Sequence, residues 1–90
     1  MIVAFTKSFE RSLKFIDNQE LVKNTIKHLI VALEGNVKSE GLGLRKLRNG
    51  IWEVRVTYSI RILFLMMPGE LRLLIVGNHD TIRRYLRHQT

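Results

Sequence analysis

The chain has no cysteine, so neither a disulfide framework nor a thiolate metal site can supplement its core, and a reducing cytoplasm suits it as well as any compartment. Its three histidines are scattered, without HExxH-like spacing, which argues against a metal site. The opening MIVAFTKSF is a short apolar run without a basic leader, and the longest apolar stretch, IRILFLMMP, falls far short of a bilayer span. The expectation is a soluble cytoplasmic protein with no membrane segment, no metal and no cofactor. Linkers, internal repeats and low-complexity tracts are also missing, and 90 residues leave no room for two cores, so residues 1–90 read as one domain.

Acidic residues are few, eight against fifteen lysines and arginines, for a net charge of +7. The imbalance is segregated. Residues 1–40 hold six basic and five acidic side chains, whereas residues 41–90 hold nine basic and three acidic, and eight of those nine are arginine. Arginine's planar fork matches phosphate oxygens bidentately, so an arginine-rich half favours a polyanion: nucleic acid, an acidic protein segment, or each in turn. The competing reading is a solvated basic surface.

The apolar pattern supplies the elements. IVAF reads as a strand, and Thr6 caps a short helix whose Phe9, Leu13 and Ile16 recur at helical spacing. Asp17 and Glu20 have capping-box spacing and begin a second helix. Val22, Ile26, Leu29, Ile30 and Leu33 give that helix an apolar face, and Gly35-Asn36 ends it. From Gly41 the period changes: GLGL is a flexible lead-in, RKLRNG ends in an Asn-Gly turn signal, and IWEVRV alternates with Trp52, Val54 and Val56 on one face. IRILFLMM is apolar on both faces apart from Arg61, as suits a covered central strand. Pro68-Gly69 marks a type II turn into LRLLIVG, and Asn78 or Asp80 caps a closing helix, TIRRYLRH. The fold class is α+β in the order βααβββα: an N-terminal strand and helical hairpin packed on a small antiparallel meander, with a short C-terminal helix.

Turn chemistry also sets registers. A three-residue loop at Thr57-Tyr58-Ser59 places Arg55 opposite Arg61, and a two-residue loop at Pro68-Gly69 places Arg61 opposite Val76. Directly opposed cations cost stability unless an anion lies between them. Glu53 projects from the same face as Arg55, and His79 lies just beyond the last strand, with Tyr85 in the helix that follows. A groove lined by Glu53, Arg55, Arg61, His79 and Tyr85 has the parts to cut RNA without a metal. A base takes the ribose 2′-hydroxyl proton, arginines offset the phosphorane charge, and an acid protonates the leaving 5′-oxygen. Each residue has a plainer alternative. Arg61 can be satisfied by a salt bridge to Glu53, His79 can be a surface or capping residue, Tyr85 can pack its ring on the sheet, and Trp52 belongs in the core. Arg83, Arg84 and Arg87 form a solvated helix face or a surface for RNA or a partner.

The stretch LRKLRNGIWEVRVTYSIRILFLMMPGELRLLIVGNHDTIRRYL resembles the RelE/ParE superfamily of bacterial toxins from toxin–antitoxin systems. It shares a leucine-and-basic segment, an aromatic-x-x-Arg strand, a strand with Arg before apolar residues, a hairpin, a strand ending in Gly and a basic closing helix. The resemblance implies a small antiparallel sheet with an N-terminal helical hairpin. For the RelE branch it implies an mRNA interferase, a ribosome-dependent endoribonuclease that cuts mRNA in the A site. The positions matching that branch are Arg55, Arg61, His79 and Tyr85, and Glu53 stands where some members are basic, leaving open whether Glu53 or His79 is the base. Arg45, Lys46 and Arg48, with Arg83, Arg84 and Arg87, are then RNA- or partner-binding. An acidic cognate antitoxin is the implied partner. The alternatives are a ParE-like gyrase inhibitor and a non-catalytic nucleic-acid- or protein-binding module.

Overall fold

The structure, a computed structural model, describes residues 1–35 and 42–88. Strand β1 (Ile2–Phe5) leads into helices α1 (Lys7–Leu13) and α2 (Gln19–Glu34), then strands β2 (Leu44–Lys46), β3 (Ile51–Arg55), β4 (Arg61–Met67) and β5 (Glu70–Gly77), and finally helix α3 (His79–Arg87). The α+β class and the expected order stand, with one strand added at Leu44–Lys46. The strands form one five-stranded sheet in the order β1-β5-β4-β3-β2. Its β3 to β5 portion is the expected meander, β2 extends it antiparallel to β3, and β1 joins it in parallel beside β5.

Local chemistry explains the boundaries. The Thr6 hydroxyl accepts from Phe9 N at 3.2 Å and donates to the Leu73 carbonyl at 2.8 Å, so one side chain caps α1 and ties the end of β1 to β5. Helix α2 is capped by Asn18, whose amide oxygen accepts from Leu21 N, rather than by Asp17. Gly35 closes α2 with its N–H on the Val31 carbonyl; Asn36 and the Gly41 lead-in lie outside the described residues. Asn49 and Gly50 both adopt positive φ, +57° and +75°, as a tight hairpin turn of the type I′ kind requires, and Ile51 N bonds back to the Arg48 carbonyl. Asn78, not Asp80, caps α3 by accepting from Thr81 N at 3.0 Å.

Sheet parity puts a core on each face. Val54, Ile62, Phe64, Leu71, Leu73 and Val76 meet Phe9, Val22, Ile26 and Leu29 of the helical hairpin, with Trp52 and Val56 packed at the margin as expected. On the other face Ile51, Leu63 and Leu74 meet Ile82 of α3, with Tyr85 and Leu86 alongside. The two faces are reconciled by an irregularity in β5. Phe64 pairs with Leu73 and Leu63 pairs with Ile75, leaving Leu74 as the extra residue of a β-bulge. The bulge turns two successive side chains, Leu74 and Ile75, towards α3 and returns Val76 to the hairpin side. No described helix is long and apolar enough to cross a membrane.

Candidate functional site

The β3–β4 register is the one that the Thr57-Tyr58-Ser59 loop implies: Arg55 pairs with Arg61, and Val56 N bonds to the Ile60 carbonyl at 2.8 Å. The β4–β5 register is not. The bulge at Leu74 advances β5 by one residue, so Arg61 faces Gly77 in place of Val76. That exchange matters because Arg61 then has the one residue without a side chain as its neighbour. A Cβ at position 77 would lie 2.7 Å from Thr81 Cγ2 and 2.8 Å from Thr81 Cβ, so glycine is what allows α3 to start so close to the sheet. The end of β5 is also pinned from the far side. Beyond Phe5 no strand among the described residues covers this edge, and the Ser12 hydroxyl takes the place of a ladder partner, accepting from Val76 N at 3.1 Å.

These constraints bring three expected residues together. Arg55 and Arg61 from paired strands and His79 from the first turn of α3 line one cavity of about 550 Å3. Tyr58 and Ser59 of the β3–β4 loop complete one wall, and Asn78 and Asp80 the other. The start of α3 adds the positive end of a helix dipole to two guanidinium groups, a favourable setting for phosphate. Asp80 and Tyr58 are additions: sequence spacing marks position 80 only as a cap and position 58 only as a turn residue, and neither carries a local signal for a cavity formed between β3, β4 and α3.

Glu53 and Tyr85 stand behind this cavity rather than in it. Glu53 is 5% exposed, and its Oε1 accepts from Arg61 Nη1 at 2.9 Å, with Arg45 Nη2 at 3.8 Å. The charge inside the apolar strand therefore has its partner, and the carboxylate holds the guanidinium in place. Arg55 makes no ion pair among the described residues and is exposed. Tyr85 packs in the α3-side core, and burial pushes its phenol above the ordinary value. His79 Nε2 lies 2.8 Å from Arg83 Nη2. A guanidinium can only donate, so in this contact Nε2 is the acceptor.

The remaining basic residues spread outward. Arg45 is exposed on the edge strand β2, the Lys46 ammonium lies 5.9 Å from the Trp52 ring centroid, and Arg48 reaches the Leu86 carbonyl at the end of α3. Arg84 and Arg87 occupy the last turn of α3, and Arg84 borders a second groove of about 600 Å3 between α1 and the end of β5. No group of three or more His, Cys, Asp or Glu that could hold a metal occurs among the described residues.

This fold is that of the YafQ, YoeB and RelE toxins of type II toxin–antitoxin systems. YafQ from E. coli strain BL21(DE3) matches with a TM-score of 0.67 at 15% identity, over 89% of this chain and 94% of YafQ. The YoeB dimer from Staphylococcus aureus gives 0.68 at 19% identity, over 88% and 97%. The RelB–RelE antitoxin–toxin complex from Methanococcus jannaschii gives 0.67 at 17% identity, over 91% and 96%. At these identities the likeness is one of fold. No protein-family model and no curated protein matches the chain in sequence.

Proposed function

We propose that this chain is the toxin of a type II toxin–antitoxin pair: an endoribonuclease that cuts mRNA in the ribosomal A site without a metal and is neutralised by an acidic antitoxin. The observation that carries the reading is the convergence of Arg55, Arg61 and His79 on one cavity, on the fold of the YafQ, YoeB and RelE toxins. In the reaction the 2′-hydroxyl loses its proton, the resulting oxyanion attacks the adjacent phosphorus, and the 5′-oxygen leaves with a proton. The products are a 2′,3′-cyclic phosphate and a 5′-hydroxyl. Arg55 and Arg61 offset the charge of the phosphorane. Asp80, the carboxylate that lines the cavity, takes the 2′ proton, and His79, as the imidazolium turned off Arg83, gives a proton to the leaving oxygen and ends as the neutral ring. Glu53 positions Arg61 rather than acting as the base.

The solved complexes of YafQ with DinJ and of YoeB with YefM motivate the antitoxin. The charge of +7, of which +6 lies in residues 41–90, fits an acidic partner segment. The protein added to a translating extract is expected to cut mRNA within codons and to leave 5′-hydroxyl ends, which polynucleotide kinase labels without prior phosphatase. Intact mRNA, or ends that carry 5′-phosphate, would overturn the reading.

A further inference from the structure

The hairpin that holds the two arginines also carries a residue for which neither the core nor the proton chemistry has a use. Tyr58 sits at the tip of the β3–β4 loop, three residues after Arg55 and three before Arg61, and is 92% exposed. An aromatic ring so fully in water contributes nothing to folding. Its backbone is nevertheless firmly placed. Thr57 Oγ1 accepts from Ser59 N at 3.3 Å and from Ile60 N at 3.1 Å, and Val56 N and Thr57 N both bond to the Ile60 carbonyl. The tip is a closed turn that fixes the Cα of Tyr58, and Tyr58 is among the residues lining the cavity shared with Arg55 and Arg61.

We infer that Tyr58 is a nucleobase-stacking subsite: its ring takes the base of a nucleotide next to the phosphate held by Arg55 and Arg61. The inference deepens the ribonuclease reading and rests on it for the choice of RNA as ligand. Stacking on a ring suits single-stranded RNA, whose unpaired bases are free to splay, and it tolerates every base because each has a π-face. The phosphate and the base are then read by one rigid hairpin, the guanidinium groups supplying charge and the phenol a flat apolar surface. A tyrosine in this place needs only its ring. The hydroxyl is dispensable, which separates stacking from hydrogen bonding or proton transfer.

The test is binding of a short fluorescein-labelled single strand, uncleavable through 2′-O-methyl groups, to the full chain, followed by anisotropy at low salt. Tyr58→Ala is expected to weaken binding about tenfold, and Tyr58→Phe to bind as the native chain does. An abasic strand of the same length and charge is expected to bind native and Tyr58→Ala chains alike. If Tyr58→Ala binds the base-bearing strand within about twofold of the native chain, or if Tyr58→Phe fails as Tyr58→Ala does, the subsite is wrong. A native chain that does not distinguish base-bearing from abasic strands overturns it as well. These outcomes are independent of mRNA cutting in a translating extract, so failure of the subsite and failure of the nuclease reading are read in different tubes.

Discussion

Arg61 and Glu53 show how a single contact serves both folding and the site. A carboxylate that is 5% exposed keeps its charge stabilised only while a cation is near, and Arg61 is that cation at 2.9 Å. Arg61→Ala is therefore expected to cost about 3 kcal/mol in urea unfolding, the low end for breaking a buried pair because Arg45 remains in reach. Glu53→Gln added to Arg61→Ala should recover part of that stability without recovering RNA cutting. Arg55→Ala, with no ion pair to break, should leave the unfolding midpoint unchanged. Tyr85 gives a pH signature. Its raised pKa means that the folded chain holds the phenolic proton longer than the unfolded chain does, so the contribution to stability is intact below the ordinary value of 10.0 and is lost above it. Comparing urea midpoints at about pH 9 and about pH 11, Tyr85→Phe should show a smaller alkaline loss than the native chain. At this scale the sequence was informative where a charge interrupts an apolar strand, as at Arg61. It was uninformative for Asp80, whose cavity neighbours Arg55 and Arg61 lie about twenty residues away in the chain, and for Tyr58, which the sequence marks only as a turn residue.

Among the elements, β5 decides where the site forms. Its bulge at Leu74 sets Gly77 beside Arg61, and its last N–H group before the glycine is held by a helix hydroxyl. Ser12→Ala should cost about 1–2 kcal/mol by leaving the Val76 N–H without a partner, measured as a drop in the urea midpoint. Gly77→Ala should cost about 1–3 kcal/mol, because the new methyl group must push α3 outward. His79 moves with that helix, so cutting should fall further than the loss of folded protein explains. Gly77→Ala with full activity would show that the approach of α3 does not matter. The β3–β4 hairpin was legible because its loop length fixes the register. The bulge was not, since Leu73, Leu74, Ile75 and Val76 are all apolar and any of them could be the extra residue. Strand β2 lacked a signal because Leu-Arg-Lys is too short to alternate, and the parallel pairing of β1 joins residues nearly seventy positions apart. Helix starts were located to within two residues: Asn18 outcompetes Asp17 for the cap of α2, and α3 begins at His79 instead of Thr81.

Across the whole molecule, charge is segregated rather than evenly spread, as the proposed polyanion partner requires. Residues 41–90 carry most of the net +7, and the sheet brings Arg55 and Arg61 of that half together at the start of α3. Binding of single-stranded RNA should weaken linearly in log[salt], and Arg55→Ala should lower the slope by about 0.7, the share of one phosphate contact. Phe15 is 87% exposed beside the 600 Å3 groove, which suits a partner with apolar as well as acidic residues. The central claim is that the cavity between β3, β4 and α3 cuts RNA. Its most direct test is mRNA cleavage in a translating extract by the native chain, Arg55→Ala and His79→Ala, each confirmed as folded by circular dichroism. The expected result is a loss of about a hundredfold or more for both variants. Folded Arg55→Ala and His79→Ala proteins that cut at the native rate would contradict it.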